Sequence, residues 1–332
     1  MKRMTEKAGI AAALLAGLLA SAGVPAAEAD SAAWPARPVR WIVPFPPGGA
    51  NDLVARLVAQ KLSERWGRPV VIDNRAGAGG NLGTEIGAKA APDGYTLTVA
   101  STSTLGSNVG LNPNLPFDPV RDFAPIALFV TAPNLLSVHS SVPAKTVQDV
   151  VALAKKSPGK LNYSSFGEGS SAHLVGEMFR AQAGIDIVHV PYKGGGPALA
   201  AVMAGEVQMT FSNLSVALPQ VQAGKVRGIA VTSRNRALAL PQLPTVAESG
   251  LPAFEATAWV GLVAPRTLPA ALVARLNREI RELLAEAETK KQILSRGLEP
   301  ADTTPEAFGR WIRNDIERWK KVIRTAGIRV QS

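Results

Sequence analysis

Two hydrophobic patterns alternate along this chain. Short apolar runs without clean polar alternation are typical of strands that are buried on both faces of a parallel sheet. Between them lie segments in which apolar residues recur every three or four positions, as on one face of an amphipathic helix. Leu53, Leu57, Val58 and Leu62 give the first such segment its apolar face. The alternation predicts an α/β fold with helices on both faces of the sheet.

The predicted strands are spread over the chain as far as residue 263. They are Val39–Phe45, Val70–Asp73, Thr96–Ala100, Ile126–Val130, Leu135–His139, Leu161–Tyr163, Ile187–Val190, Val207–Phe211, Val226–Thr232 and Trp259–Val263. The sequence beyond them lacks short apolar runs and has the helical period instead.

Two long amphipathic helices are predicted in this C-terminal part. The first covers LPAALVARLNREIRELLAEAE, residues 268–288. The second has Thr304 as its N-cap, Pro305 at its first position and Gly327 as its stop. Its apolar stripe contains two tryptophans, Trp311 and Trp319. We expect this stripe to pack in the core rather than to form a partner surface, because its spacing is that of an ordinary amphipathic helix.

The first 29 residues have the pattern of a secretory signal peptide. Lys2, Arg3 and Lys7 precede an apolar run, and an Ala-Glu-Ala site predicts cleavage before Asp30. The run is too short for a membrane helix, although an uncleaved anchor is the alternative. The chain contains no cysteine, which excludes a lipoprotein, disulfides and thiolate chemistry. We therefore expect a periplasmic protein.

The net charge of +10 favours an anionic partner. The signal segment carries +1 of it, so the mature chain carries +9. Nucleic acid is not the expected partner, because the basic residues are scattered singly and the chain has only three tyrosines for base stacking. About 300 residues remain after cleavage, which corresponds to about two domains.

Glycine-rich turns recur where predicted strands end and helices begin. They are PGGA at 47–50, GAGGN at 77–81, YSSFGEGSSAHL at 163–174 and VPYKGGGPAL at 190–199, joined by STSTLGSN at 101–108 and FSN at 211–213. A helix N-terminus presents unpaired N–H groups and a partial positive charge, and glycine lets a ligand approach them. Because such loops gather at the carboxyl ends of strands, the set predicts an anion site. Asp52 beside the first loop is expected to cap its helix rather than to bind ligand.

Other kinds of site fit the motifs poorly. No Gly-Lys-Ser/Thr is present for a P-loop, and GxGxxxG at residues 77–83 departs from the dinucleotide fingerprint. No GxSxG occurs, and the three histidines lack metal-ligand spacing. Ser170 and His173 could form a hydrolytic dyad, but a helix cap beside a core or ligand-facing histidine is the favoured interpretation. His139 and His189 are expected to be packed, and Lys193 faces either an anion or solvent.

Five segments in order identify a family resemblance. VPFPPGGANDLVAR, VIDNRAGAGGNLGTE, YSSFGEGSSAHL, VPYKGGGPAL and GIAVTSRNRALALPQLPTVAESGLP resemble the tripartite tricarboxylate transporter receptors, also called Bug-type periplasmic solute-binding proteins. The likeness covers nearly all of the mature chain. It implies a type II periplasmic binding protein fold, in which two lobes close on a ligand cleft. With a signal peptide at 1–29, lobe I would comprise 34–131 plus 233–332 and lobe II 132–232, with crossings near Thr131 and Thr232.

The resemblance also implies where the ligand binds. In this family, backbone N–H groups and ordered water from the first two glycine loops hold one ligand carboxylate, and variable loops read the far end. Carried over residue by residue, the predicted ligand-binding residues are Phe45, Pro47, Gly48, Gly49, Gly77, Ala78, Gly80, Asn81, Ser101, Thr102, Thr104, Ser164, Gly167, Gly169, Ser170, His173, Ser212 and Asn213. One departure matters, since many relatives have Asp-Asn where this chain has Ser212-Asn213.

The implied function is capture of a small organic carboxylate and its presentation to integral-membrane transporter subunits. We expect a monomer with no enzymatic activity, no cofactor and no metal. A sensor of the same fold and a Ser170/His173 hydrolase are the alternatives. Residues 101–108, 192–197 and 211–215 contain no acid to meet an ammonium group, so a non-amino mono- or dicarboxylate is favoured over aspartate or glutamate. Glu168 is the one acid that could serve an amino acid.

Overall fold

The structure, a computed structural model, describes residues 34–328. The predicted signal peptide lies outside the described residues. Ten strands occur within the described part: β1 Val39–Val43, β2 Val70–Asn74, β3 Thr96–Ser101, β4 Phe123–Val138, β5 Asn162–Ser165, β6 Val188–Pro191, β7 Met209–Asn213, β8 Arg227–Val231, β9 Thr257–Pro265 and β10 Glu299–Pro300. The α-helices are α1 Ala50–Trp66, α2 Asn81–Ala88, α3 Asn108–Leu111, α4 Val147–Lys156, α5 Ser171–Ala183, α6 Gly195–Met203, α7 Leu214–Gln222, α8 Ala270–Ala285, α9 Ala287–Leu294 and α10 Pro305–Ala326.

The strands form one sheet whose directions are mixed. Its order is β2-β1-β3-β9-β4-β7-β5-β6, with β8 and β10 also pairing β4. β1 pairs in parallel with β2 and β3, and β5 pairs in parallel with β6 and β7. β9 and β4 run antiparallel between these two groups. The prediction of a parallel sheet is therefore wrong for its central strands. β9 and β4 are as continuously apolar as the parallel strands, so their sequence does not indicate their direction.

A single 16-residue strand, β4, joins the two parallel groups. The sequence predicted two strands here, separated around Pro133. Instead, β4 pairs with β9 from Phe123 to Pro133 and with β7 from Asn134 to Val138. Pro133 has no N–H to donate, so it fits where the hydrogen-bonding partner changes.

Apolar side chains of the sheet pack against α10 in two core clusters. One cluster contains Phe123, Trp259 and Val263 together with Phe308, Ile312 and Ile316 of α10. A second contains Tyr163, Phe179 and Phe211 together with Trp319 and Ile323 of the same helix. The stripe on α10 is thus core packing, as predicted, with Trp311 only partly buried against the first cluster.

The helix ends follow local sequence signals in most places. Thr304 caps α10 by accepting a hydrogen bond from the Ala307 N–H, and Gly327 ends the helix with a φ of 64°. The predicted helix over residues 268–288 is wrong in its extent, because Glu286 takes an extended ψ of 136° and separates α8 from α9. Hydrogen bonds and an ion pair from Arg65 and Lys61 of α1 hold this acid and its neighbour Glu282.

The chain from Arg37 onward forms one compact unit, and Trp34–Ala36 precede it. The division into two lobes at Thr131 and Thr232 stays a prediction. No helix within residues 34–328 combines the length and apolar character needed to cross a membrane.

Candidate functional site

The carboxyl ends of β1, β2 and β3 lie together at one edge of the sheet. Val43 is in register with Asn74, and Ile42 with Thr98, so the three parallel strands end side by side. The first, second and fifth glycine- or hydroxyl-rich loops follow these strands directly. This edge is where ligand sites form in open α/β sheets.

A buried carboxylate shapes the first loop. Asp52 is 1% exposed and accepts hydrogen bonds from the Gly48 N–H at 2.9 Å, from Arg56 Nε at 2.9 Å and from Asn74 Nδ2 at 2.9 Å. Burial alone would raise the pKa of Asp52, but these donors outweigh it and lower the pKa. Asn74 Nδ2 also donates to the Phe45 carbonyl at 2.9 Å, which ties the second strand to the first loop. Asp52 lies in the first turn of α1 and accepts the N–H of Gly48, the residue before the N-cap, as expected of an acid that serves the helix start. That it does not contact ligand stays a prediction.

The same loop leaves backbone donors unused. Gly49 is the N-cap of α1 and makes no side-chain cap bond. Among the described residues, no acceptor receives the N–H groups of Gly49, Ala50 or Asn51, all of which are exposed or partly exposed. The N–H of Gly48, expected to hold ligand, is instead bound to Asp52. The donors that remain for an anion therefore begin at Gly49.

The second loop takes a conformation that favours glycine. Gly77, Ala78, Gly79 and Gly80 all have positive φ, at 148°, 47°, 65° and 95°. A Cβ on Gly80 would lie 2.8 Å from Thr104 Cγ2 and 3.2 Å from Phe45 Cζ. Gly80 is thus the point at which the first, second and fifth loops meet.

The segment after β3, expected to be a loop, is a single turn of π-helix over Thr102–Ser107. Ser101 and Thr104 form a capping box, in which each backbone N–H donates to the other residue's hydroxyl at 3.0 and 3.4 Å. The Thr102 hydroxyl accepts a hydrogen bond from the Trp259 N–H at 2.9 Å. The side chains of these three predicted ligand contacts are buried and hydrogen-bonded within the protein. Contact of this turn with a ligand would therefore come from its backbone.

A buried acid lies beneath this π-helix. Asp315 of α10 is 1% exposed and accepts a hydrogen bond from Trp259 Nε1 at 2.8 Å. A Cβ on Gly106 would lie 2.6 Å from Asp315 Oδ2, so the turn packs directly on the carboxyl group. Burial raises the pKa of Asp315 to about 7, although Trp259 and Arg318 act in the opposite direction.

The third loop lies at the carboxyl edge of the other parallel group. Ser164 is in register with Thr210, so β5 and β7 end together and bring this loop beside Ser212 and Asn213. Ser164 Oγ donates to the Ala198 carbonyl at 2.9 Å. Predicted residues Gly167 and Gly169 have φ of 123° and 70° and shape the turn before α5.

The side chains of Ser170 and His173 are not joined by a hydrogen bond among the described residues. Ser170 is the N-cap of α5, and its hydroxyl donates to the Gly167 carbonyl at 2.6 Å. His173 Nδ1 accepts the Gly169 N–H at 3.0 Å, so that nitrogen is already engaged. The interpretation as a helix cap beside a buried histidine is confirmed.

Two histidines stack beneath the third loop. The ring centroids of His173 and His189 are 3.8 Å apart, and the two ring planes are nearly parallel, at an angle of 4°. His189 Nε2 is 2.6 Å from Ser165 Oγ. Burial and the neighbouring His173 lower the pKa of His189 to about 4. Burial also lowers the pKa of His173, although the carboxylates of Glu177 and Glu168 act to raise it. Both rings are therefore neutral at pH 7.

Buried polar atoms without partners cluster where β4 meets β7. Asn134 is in register with Asn213, and the Oδ1 atoms of both are buried with no hydrogen-bond partner among the described residues. Ser212, 0% exposed, has a similarly unpartnered hydroxyl. Each such group costs about 1–3 kcal/mol unless something else satisfies it. Asn134 had no sequence signal, because its position in the middle of an apolar strand suggested only packing.

The architecture now defines a class of protein. A mixed sheet packed with helices, and with glycine-rich loops at the carboxyl edges of two parallel groups, is the type II-like fold of periplasmic binding proteins. The structure of "R. palustris Rpa4515 with adipate" matches with a TM-score of 0.79 and 38% identity, covering 89% of this chain and 99% of that one. "MatC (Rpa3494) from Rhodopseudomonas palustris with bound malate" matches with a TM-score of 0.74 and 33% identity, over 87% and 100%. The predicted fold class is confirmed.

The family follows from the sequence match. Residues 54–328 match the tripartite tricarboxylate transporter family receptor, and the chain belongs to that family. "Protein BugT" of Bordetella pertussis is 35% identical over 320 residues, which is 96% of this chain and 98% of that protein. The family consists of solute-binding receptors, as the resemblance predicted.

Proposed function

We propose that this receptor binds a non-amino mono- or dicarboxylate and catalyses no reaction. The observation that carries the proposal is the set of unused N–H donors at Gly49, Ala50 and Asn51, located where Gly80 brings three loops together. A carboxylate at a helix N-terminus accepts such donors and meets the positive end of the helix dipole. Hydrogen bonds to a charged group contribute about 1.5–3 kcal/mol each.

The far end of the ligand would meet neutral polar groups. Ser212 Oγ and Asn213 Oδ1 are the unpartnered atoms at the opposite carboxyl edge, and Ser164, Gly167 and Gly169 adjoin them. A hydroxyl can donate to a second carboxylate, and an amide can serve a hydroxyl or a carboxyl group. The two relatives whose structures contain adipate and malate support this ligand class for the present chain.

Exclusion of amino acids rests on the charges at the site. Glu168 is the acid in the third loop, and it is exposed. A buried ammonium group without a carboxylate partner is costly. An exposed glutamate gives weak compensation, because water screens its charge. The site therefore favours ligands that carry no ammonium group.

Capture would occur by closure of two lobes about strands near Thr131 and Thr232. Thr232 supports this position, because its hydroxyl donates to the Ala256 carbonyl at 2.6 Å and accepts the Asn134 N–H at 2.9 Å. It thus links β4 to the segment that enters β9. We further propose that the chain is exported by its signal peptide to the periplasm, acts there as a monomer without lipid, and delivers its ligand to integral-membrane transporter subunits.

Two measurements test the proposal. Native mass spectrometry of the purified protein should find a bound carboxylate, and calorimetry should rank succinate, malate, citrate, nicotinate, terephthalate, aspartate and glutamate. Tightest binding is expected for a compound without an amino group. If an amino acid binds tenfold more tightly than every other compound (about 1.4 kcal/mol) and Glu168→Gln removes that preference, the ligand class is wrong.

A further inference from the structure

A groove of about 840 Å³ with a strong positive charge lies far from the predicted ligand-binding residues. It is bounded by α8, by the start of α10 and by the first residues of β4. Five arginines line it: Arg266, Arg278, Arg281, Arg310 and Arg313. No lysine lines the groove, and Glu306 is its one acidic lining residue.

Most of this charge has no partner within the protein. Arg281 pairs with Asp302, and the charge of Arg310 helps to lower the pKa of Glu306. Arg266, Arg278 and Arg313 are exposed, and their side chains make no hydrogen bond or ion pair with any residue in 34–328. Elsewhere in the described chain, arginines commonly pair with carboxylates, as Arg65 does with Glu282 and Glu286. Unpaired like charges that are held close together repel one another, so this concentration is unfavourable unless an anion neutralises it.

Helix geometry places these charges in two facing rows. Arg278 and Arg281 are three residues apart on α8, and Arg310 and Arg313 are three residues apart on α10, so each pair shares one helix face. Gly309 directly precedes the second pair: a Cβ there would be 3.3 Å from Pro125 Cγ and 3.6 Å from Arg313 Nη1. The absence of a side chain at this position keeps the groove open down to β4.

The floor of the groove is apolar. Leu268 is buried, Pro125 and Val273 are partly buried, and Ala274 is exposed. A flat lipid surface could reach the arginines but not this floor. An acidic protein segment that also carries apolar side chains would satisfy both, since guanidinium groups bind carboxylates in a bidentate manner.

The groove lies at the end of the sheet opposite to the ligand edge. Ser101, at the ligand edge, is in register with Val260, while Pro265 is in register with Phe123 beside the groove. Pro265 lies five residue steps beyond Val260 along β9, which is about 17 Å at the usual rise per residue. A partner seated in the groove would leave the ligand loops uncovered.

We propose that this arginine groove docks an acidic, partly apolar segment of an integral-membrane transporter subunit. The proposal rests on the function proposed above, because delivery of the ligand requires a contact with a transporter subunit. It also separates transport from sensing, since it commits the receptor to a transporter subunit.

The test uses a photo-crosslinking amino acid at Ala274, within the groove, in the cells that naturally make the protein. Ala223, an exposed residue at the end of α7, is the control position. Mass spectrometry of the crosslinked product should identify an acidic segment of an integral-membrane transporter subunit at Ala274 and not at Ala223. Arg278→Gln/Arg310→Gln/Arg313→Gln should reduce the yield at least tenfold.

A matched variant, Arg68→Gln/Arg296→Gln/Arg324→Gln, removes the same three charges from exposed positions outside the groove and should keep the yield. Both variants should bind carboxylate as the wild type does. The proposal is overturned if Ala274 crosslinks no polypeptide, lipid alone or a segment without acidic residues, or if the two triple variants give equal yields. Carboxylate binding without the crosslink refutes the groove alone, whereas the crosslink without carboxylate binding refutes the proposed ligand.

Discussion

Replacing Gly80 by alanine tests the convergence of the three ligand loops most directly. The new Cβ would lie 2.8 Å from Thr104 Cγ2 and 3.2 Å from Phe45 Cζ, in a backbone with a φ of 95°. A left-handed conformation costs a residue with a side chain roughly 1–2 kcal/mol. Overpacking a buried contact adds about 1–3 kcal/mol. The free energy of unfolding should therefore fall by about 2–5 kcal/mol.

Gly67→Ala is the matched control for backbone strain. Gly67 has a φ of 62° at the end of α1, and a Cβ there would meet nothing within 4 Å. The free energy of unfolding of this variant should fall only by the cost of the left-handed backbone conformation, roughly 1–2 kcal/mol. Urea unfolding of the two variants separates the steric contribution from the conformational one.

The effect on ligand binding should differ more sharply. Relief of the clash moves Phe45 or Thr104 away from the second loop, and losing one charge-assisted hydrogen bond costs about 1.5–3 kcal/mol. Gly80→Ala should therefore bind its carboxylate at least tenfold more weakly by calorimetry, while Gly67→Ala keeps the wild-type affinity. If both variants bind within twofold of the wild type, Gly80 does not hold the ligand loops together and the site is wrongly placed.

Three further predictions concern polar groups that are buried or partly buried. Asp52→Asn should weaken carboxylate binding by about tenfold, since the first loop loses the charge that accepts the Gly48 N–H. Because the pKa of Asp52 is lowered in the folded protein, its carboxylate stabilises the fold above pH 3.8. This contribution is lost as the pH falls through the pKa of Asp52 in the folded protein. The pKa of Asp315 is raised, so its stabilising effect is present below pH 3.8 and is lost as the pH rises through about 7. The free energy of unfolding should therefore fall between pH 4.5 and 8, and urea titrations at these two pH values should show a smaller fall for Asp315→Asn. Ser170→Ala should lower stability by about 1 kcal/mol through loss of the α5 cap and leave ester turnover at the background rate.

Each of these has a clear contrary result. Unchanged affinity in Asp52→Asn would show that the network does not shape the ligand loop. A pH slope that persists in Asp315→Asn would assign the titration to another group. Ester hydrolysis that disappears in Ser170→Ala would establish a catalytic role and overturn the proposal that the receptor catalyses no reaction.

The features predicted well are those that short sequence segments determine. Thr304, Pro305 and Gly327 define the limits of α10 by chemistry within four residues of each end. The order of strands and helices and the positions of the glycine turns are equally local. Together with the five motifs, they were enough to identify the fold class and the family.

The features that were missed depend on contacts distant in sequence. The π-helix at Thr102–Ser107 is held by Trp259, 157 residues away, and packs on Asp315 of the last helix. The continuity of β4 depends on a change of partner at Pro133, which resembled a strand end. The unpartnered Oδ1 of Asn134 follows from that pairing, so the sequence alone offered no reason to single it out.

Helix α10 has a consequence for how the protein is made. Its first half completes the cluster around Trp259, and Trp319 and Ile323 in its second half complete the cluster around Tyr163. Both clusters stay incomplete until this helix has been synthesised, and we expect them then to close in one cooperative step. For the export proposed above, this delay would keep the chain unfolded while it threads through a narrow secretion channel.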